Sequence, residues 1–111
     1  MTAPVTDDVD AKVRDQMVGL VGDARMAEFE SMLLRRLDGL GDLAPCGRGD
    51  PDALAELHKA VSESGMLGFA RLSGALRALE HAAKAGADPS EALIGARTAV
   101  AGVRAVMAGR P

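Results

Sequence analysis

The stretch LHKAVSESGMLGFARLSGALRALE, residues 57–80, decides the fold because it has the pattern of two amphipathic helices joined by a break at Gly68. One face of the first helix holds the residues that we expect to be buried: Leu54, Leu57, Val61 and Ser64. Apolar residues also recur every three or four positions along the second helix: Phe69, Leu72, Leu76, Leu79 and Ala83. Two helices with so short a connection pack antiparallel and need further helices to cover their apolar faces.

The preceding sequence predicts two of those helices. Thr6 is a candidate N-cap for a first helix over residues 7–20, in which Asp10 and Arg14 have the i,i+4 spacing of an ion pair. Residues 22–23 separate it from a second helix. The apolar stripe of that second helix is Met26, Phe29, Leu33, Leu37 and Leu40.

Residues 39–49 combine glycines with a proline and are predicted to form the longest loop. Asp50 and Pro51 then start the third helix, since the aspartate can cap it and proline lacks only an N–H group that the first helical position does not use. Residues 88–91, Asp-Pro-Ser-Glu, repeat this start, with the glutamate placed to complete a capping box. The last helix carries an apolar stripe of Leu93, Ala96, Val100, Val103 and Met107.

Composition supports the all-α fold class. The chain has 111 residues, of which 48% are hydrophobic and 2% aromatic, so its core is built from Leu, Val, Met and Ala, which fill helix interfaces. This length suffices for one core and is too short for two. We therefore predict an antiparallel four-helix bundle with an additional short N-terminal helix, as a single domain over residues 1–111 of which residues 1–6 are flexible.

Charge and hydropathy argue against several classes of partner. A formal net charge of −3 offers no excess of Lys and Arg, so we expect no binding to nucleic acid. Arg97 and Arg104 interrupt the most apolar stretch, which predicts no membrane span, and the acidic start MTAPVTDDVD predicts no secretory signal. The single cysteine, Cys46, has no partners at metal-ligand spacing. It is predicted to be a free thiol in a reducing cytoplasm, and no metal site or cofactor is predicted.

His58 lies at the edge of the apolar face of the third helix, half in and half out. Its neighbours on the solvent side, Ala55, Ser62 and Gly65, are all small. They leave a flat patch from which the imidazole projects toward another protein. Two simpler interpretations stay open, since an edge histidine is often an ordinary half-exposed residue and small residues also allow close packing of helices.

Glu80 falls within the apolar face of the fourth helix, where a carboxylate needs a partner or a route to water. If it accepts a hydrogen bond from Nδ1–H of His58, it fixes the tautomer in which Nε2 is the nucleophilic nitrogen. Alternatively, it reaches solvent and pairs with Lys84 at i+4. The second histidine, His81, is predicted to be a structural or surface residue near the end of this helix.

Together these residues resemble the histidine-containing phosphotransfer (HPt) domains of bacterial multistep phosphorelays. The family pattern is a histidine followed by small residues, then Leu-Gly-Phe, then Leu, and finally Leu-Glu or Leu-Gln on the next helix. Its counterparts here are His58, Ser64, Gly65, Leu67, Gly68, Phe69, Leu72, Leu79 and Glu80. Residues 19–37 are also similar to the segment that precedes this motif, so the resemblance covers about residues 17–85.

One departure from the family pattern concerns charge. Many members carry Lys and Gly three and four residues after the histidine, where this chain has Val61 and Ser62. The cation that often supports the phosphoryl group is thus absent from its usual place. Lys59, which projects about 100° around the helix from His58, is a candidate substitute.

The resemblance implies a monomeric, cytoplasmic phosphoryl carrier without ATP-dependent activity, and the sequence has no Gly-rich phosphate loop. His58 would accept the phosphoryl group from the receiver domain of a hybrid histidine kinase and pass it to the receiver of a response regulator, with Mg²⁺ held by the receivers. Glu80 would orient the ring. The predicted receiver contacts are Ala55, Lys59, Ser62, Gly65 and Gly68. The alternatives are an HPt-like receiver-binding module without phosphotransfer, and a dimeric helical scaffold such as the dimerisation domain of a histidine kinase.

Overall fold

The structure is a computed structural model that describes residues 9–109. Within this range the chain is all-helical and contains no strand. The six helices are α1 (Ala11–Val21), α2 (Asp23–Gly39), α3 (Ala44–Gly47), α4 (Pro51–Met66), α5 (Ala70–Lys84) and α6 (Ser90–Ala108). The all-α fold class is thereby confirmed for this range, whereas the predicted flexible segment 1–6 lies outside the described residues. In the described part of the chain, no helix has both the length and the apolar character that a bilayer crossing requires.

The helices pack around a core of leucines. The most extensive contacts join α4 to α5 and α5 to α6, and α2 lies against α4. Most of the largest side chains that are wholly buried come from the predicted apolar stripes, among them Leu33, Leu57, Phe69, Leu72, Leu76, Leu79 and Val103. Burying each such side chain stabilises the fold by about 1.5–3 kcal/mol, before conformational entropy is counted. The core therefore fixes which faces of α4 and α5 remain open.

At both Asp-Pro helix starts the aspartate side chain accepts hydrogen bonds from residues that follow it, but the two patterns differ. The Asp50 carboxylate accepts hydrogen bonds from the backbone N–H groups of Asp52 and Ala53, at 3.0 and 3.2 Å, as predicted. At the start of α6 the predicted capping box is replaced by a local turn. There Oδ1 of Asp88 accepts from the Ser90 N–H at 3.0 Å and from the Ser90 hydroxyl at 2.6 Å.

The first helix begins later than predicted. Asp10 is its N-cap, since the Asp10 carboxylate accepts the backbone N–H groups of Lys12 and Val13 at 3.1 and 3.2 Å. The prediction of an Asp10–Arg14 ion pair is wrong, because this carboxylate is used in capping and Arg14 pairs instead with Glu30 of α2. The predicted cap Thr6 lies outside the described residues.

The predicted loop over residues 39–49 contains one short helix, α3, which periodicity could not reveal in so few residues. Cys46 lies in α3 and is completely buried. Its Sγ is 3.7 Å from the carbonyl oxygen of Ala53, and burial raises the pKa of the thiol. Cys46 is therefore a core residue that fastens this connection to α4.

The turn between α4 and α5 lies under the start of α1. Gly68 has φ = 84° and is buried, and a Cβ atom there would lie 2.8 Å from the carbonyl oxygen of Asp10. The Asp10 N–H donates a hydrogen bond to the Gly68 carbonyl. The Arg14 guanidinium adds a contact over the ring of Phe69, 5.7 Å from its centroid. This end of the α4–α5 hairpin is thus closed by α1, whereas the surface around His58, farther along the hairpin, is exposed.

Candidate functional site

His58 projects from α4 into solvent. Its neighbours Leu57, Ala60 and Val61 face the core and are buried, so a side chain about 100° around the helix from Leu57 points outward. The His58 side chain is 66% exposed, more than the half-exposed position that the sequence predicted. The imidazole is therefore open to a second molecule.

Glu80 lies on α5 opposite this ring, and its side chain is only 10% exposed. Its Oε2 is 2.8 Å from Nδ1 of His58. Because a carboxylate only accepts hydrogen bonds, the neutral ring carries its proton on Nδ1 and its free lone pair on Nε2. The structure therefore contains the contact that the sequence left as one of two alternatives.

The second alternative is present at the same time. Nζ of Lys84 lies 3.1 Å from the same Oε2, although the Lys84 side chain is 61% exposed. Burial raises the pKa of the Glu80 carboxyl, but hydrogen bonds from Lys84 and His58 outweigh burial and hold that pKa below its ordinary value. Glu80 is thus ionised at neutral pH and accepts from both neighbours.

The small residues around His58 fall into two kinds. Ala55 and Ser62 are exposed on the surface of α4, as predicted, and leave the ring unobstructed. Gly65 is half-buried and faces α5, where a Cβ atom would lie 3.3 Å from Oγ of Ser73. That hydroxyl donates to the Val61 carbonyl at 3.0 Å. Gly65 therefore allows close helix packing, which is the simpler interpretation that the sequence left open.

Lys59, the candidate substitute cation, belongs to a different set of charges. Its Nζ lies 3.1 Å from Glu56, and Glu56 lies 2.7 Å from Arg36 of α2. Arg36 also bonds Glu63 at 2.7 Å. The pKa of Arg36 is raised, mainly by its hydrogen bond to Glu63. The pKa of Glu56 is lowered, mainly by the hydrogen bond from Lys59. Lys59 thus joins a network that links α2 to α4, and not the carboxylate that holds His58.

The remaining two positions are simpler. Gly68, predicted as a receiver contact, is buried against α1 and does not share the surface around His58. Its motif position is explained by its positive φ and by the close approach of Asp10. His81 is exposed in the last turn of α5, which agrees with the predicted surface role.

Sequence reasoning missed an apolar groove between α2 and α4. Its volume is about 180 Å³, and it is lined by Phe29, Met32, Glu63, Met66 and Leu67. Met32 and Met66 are 47% and 55% exposed. A stripe at three- and four-residue spacing shows which residues are apolar, but it does not show which flank of the stripe a neighbouring helix leaves uncovered. No sequence signal could therefore have located this groove.

Comparison with known proteins returned no match among family models, curated proteins or solved structures. Within residues 9–109, no group of three or more His, Cys, Asp and Glu side chains is placed to hold a metal ion. The geometry around His58 is therefore the main indication of function in this chain.

Proposed function

We propose that this chain is a histidine phosphotransfer protein that carries a phosphoryl group on Nε2 of His58. One observation carries the proposal: Nδ1 of His58 is hydrogen-bonded at 2.8 Å to the buried, ionised carboxylate of Glu80, although the His58 side chain is 66% exposed. This arrangement leaves the nucleophilic nitrogen at the surface and fixes the tautomer that makes it nucleophilic. An ordinary surface histidine needs no buried carboxylate behind it.

The proposed fold is the antiparallel four-helix bundle of α2, α4, α5 and α6, with α1 as the additional helix. Contacts of α4 with α5, of α5 with α6 and of α2 with α4 support this arrangement. An ion pair between Arg104 of α6 and Asp38 of α2, at 2.6 Å, supports closure of the bundle on its remaining side. In such a bundle α4 and α5 present His58 on a rigid surface, which phosphotransfer requires because positioning supplies most of the catalysis.

The proposed step is an in-line displacement. The Nε2 lone pair forms a bond to the phosphorus of an aspartyl phosphate on a receiver domain, the P–O bond to aspartate breaks, and the carboxylate leaves with that electron pair. Nδ1 keeps its proton, so the ring becomes a phospho-imidazolium whose positive charge faces Glu80. Transfer to a second receiver reverses the same bonds.

The proposed partners are the receiver domain of a hybrid histidine kinase and the receiver of a response regulator, with the chain acting as a cytoplasmic monomer. Mg²⁺ and the charged phosphate pocket belong to the receivers. This protein then needs only a nucleophile and an accessible surface, and no ATP-dependent activity of its own. The exposed small residues Ala55 and Ser62 allow a receiver pocket to close over His58.

The test is phosphotransfer from a panel of autophosphorylated hybrid kinases to wild type, His58→Gln and His81→Gln. We expect an acid-labile label on wild type and on His81→Gln, and none on His58→Gln. Because His81 is also an exposed histidine on the same helix pair, it is the matched control for nonspecific labelling. A label that survives in His58→Gln would overturn the proposal.

The phosphotransfer experiment and a measurement of solution mass separate the two alternatives. A receiver that binds the protein but transfers nothing to it would indicate a docking module without phosphotransfer. This alternative is favoured by the absence of the family's Lys-Gly pair, in whose place this chain has Val61 and Ser62. A sedimentation mass of twice 11.4 kDa would instead favour the dimeric scaffold.

A further inference from the structure

The site around His58 contains a second cation candidate that family resemblance does not indicate. Nζ of Lys84 and Nδ1 of His58 contact the same oxygen of Glu80, at 3.1 and 2.8 Å, so the ammonium and the ring nitrogen are no more than about 6 Å apart. Lys59 bonds Glu56 instead. Lys84 is therefore the lysine that the structure connects to the imidazole.

The charges explain what this lysine does. Ionised Glu80 holds the ring in the reactive tautomer, but its negative charge also repels the anionic phosphoryl group that must approach Nε2. The side chain of Glu80 is only 10% exposed, so water screens this charge poorly. A cation on the same carboxylate weakens this repulsion and leaves the hydrogen bond to Nδ1 in place.

We propose that Lys84 is a positioning residue that acts through Glu80: it neutralises this carboxylate and holds its oxygen against Nδ1, so that an anionic phosphoryl donor can react at Nε2 of His58. It thereby takes the place of the family's cation at the position of Val61. The biological donor rests on the proposed function, whereas the action of Lys84 on His58 does not depend on any receiver.

The test uses phosphoramidate, a small anionic phosphoryl donor, with the full chain and no receiver. Nε2 forms a bond to phosphorus, the P–N bond of the donor breaks, and ammonia leaves with the electron pair. Phosphohistidine formation is followed by ³¹P NMR in wild type, Lys84→Met, Lys84→Arg, Glu80→Gln and the double variant Lys84→Met/Glu80→Gln. Lys12→Met is the matched control, since this exposed lysine lies in α1, whose start contacts the turn between α4 and α5.

We expect Lys84→Met to slow the labelling of His58 about fivefold, a modest factor because the lysine is largely exposed. Lys84→Arg and Lys12→Met should stay within about twofold of wild type. In the Glu80→Gln background the amide oxygen still accepts from Nδ1 without a charge to neutralise. Removing Lys84 there should change the rate by less than about twofold, as expected for residues that act as a coupled pair.

Several outcomes would overturn the proposal. Equal losses from Lys84→Met in both backgrounds would mean that the lysine does not act through Glu80. A Lys84→Met rate equal to wild type, or a loss that Lys84→Arg does not restore, would mean that its charge has no role. Failure of phosphoramidate to label wild-type His58, under conditions that label free histidine, would also contradict it.

The failure of this proposal is distinguishable from the failure of the proposed function. Phosphoramidate labelling that depends on Lys84, with no transfer from any receiver, would support Lys84 and reject the phosphorelay. Transfer from a receiver that does not depend on Lys84 would support the phosphorelay and reject the role of Lys84.

Discussion

The two ends of the α4–α5 hairpin differ in what covers them. At the turn, Gly68 and Phe69 are buried beneath α1. Toward the other end, His58 stands in solvent, although the Glu80 carboxylate that holds it is buried. A single stretch, residues 57–80, supplies both the closed end at the turn and the exposed surface around His58. We call this surface the open end, although α3 packs against α4 and α5 beyond it.

This comparison shows that small residues in and beside this stretch have different roles. At the closed end Gly68 is small because backbone from another helix fills the space that a side chain would need. Gly65 is small because α5 packs against it through Ser73. At the open end Ala55 and Ser62 are exposed, and their small size matters only to a molecule that docks on them.

The largest expected effect is at the closed end. Gly68→Ala places a side chain at φ = 84° and 2.8 Å from the Asp10 carbonyl oxygen, so either the turn or α1 must move. We expect a loss of about 3 kcal/mol in the free energy of unfolding, measured by urea titration.

Gly74→Ala is the matched control on α5, since a Cβ atom there contacts nothing within 4 Å and its φ is ordinary. This change should stabilise the protein by about 0.5–1 kcal/mol, because alanine has the better helix propensity. Equal stability of the Gly68→Ala and Gly74→Ala variants would show that α1 does not close the turn.

At the open end, Ser62→Gln adds bulk to an exposed position of α4 beside His58. The free energy of unfolding should change by less than about 0.5 kcal/mol. If a receiver docks over His58, phosphotransfer should slow about tenfold, which corresponds to about 1.4 kcal/mol in the barrier. Labelling by phosphoramidate, which is too small to need the docking surface, should not change. A tenfold loss with both donors would locate the effect at the ring itself.

Gly65 lies between the two ends and tests the packing role alone. Its added Cβ would lie 3.3 Å from Oγ of Ser73, and that hydroxyl is held by the Val61 carbonyl at 3.0 Å. We expect Gly65→Ala to be about 1 kcal/mol less stable than wild type, despite the helix propensity of alanine. In a Ser73→Ala background, which removes Oγ, the same substitution should lose this cost. A cost that stays unchanged there would place the clash elsewhere.

The fold was more predictable than the site, for a physical reason. The apolar stripes, the Asp50 cap and the break at Gly68 are local patterns, and local patterns determine helices and the faces that they bury. The open and closed ends depend on contacts across the chain, such as Asp10 against Gly68. Sequence spacing does not contain such contacts, so the sequence pattern wrongly predicts Gly68 as a surface contact.

The charges of the site show the same limit. The sequence pattern puts Glu80 on the buried face of its helix and predicts His58 and Lys84 as its partners, but only as alternatives. One carboxylate oxygen accepts from His58 and Lys84 together, at 2.8 and 3.1 Å. Spacing along α5 predicts the contact with Lys84, whereas the contact with His58 depends on the register of α4 against α5. The ion pairs of Arg36 with Glu56 and Glu63 also depend on helix register, in this case of α2 against α4, and no sequence pattern predicts them.

The smallest expected effect concerns acid stability of the open end. Hydrogen bonds from Lys84 and His58 lower the pKa of Glu80 in the folded state. The ionised carboxylate therefore stabilises the fold at pH values above the ordinary glutamate pKa of 4.5. This stabilisation is lost as the pH falls through the lowered pKa of the folded state. Thermal unfolding from pH 6 to pH 3 should therefore show a steeper loss in wild type than in Glu80→Gln. Lys84→Met should lie between them, because it removes the larger of the two hydrogen-bond contributions to that pKa. Parallel curves for wild type and Glu80→Gln would mean that the carboxylate is not held by its neighbours in solution, and the open end would then lack the feature that distinguishes His58 from an ordinary surface histidine.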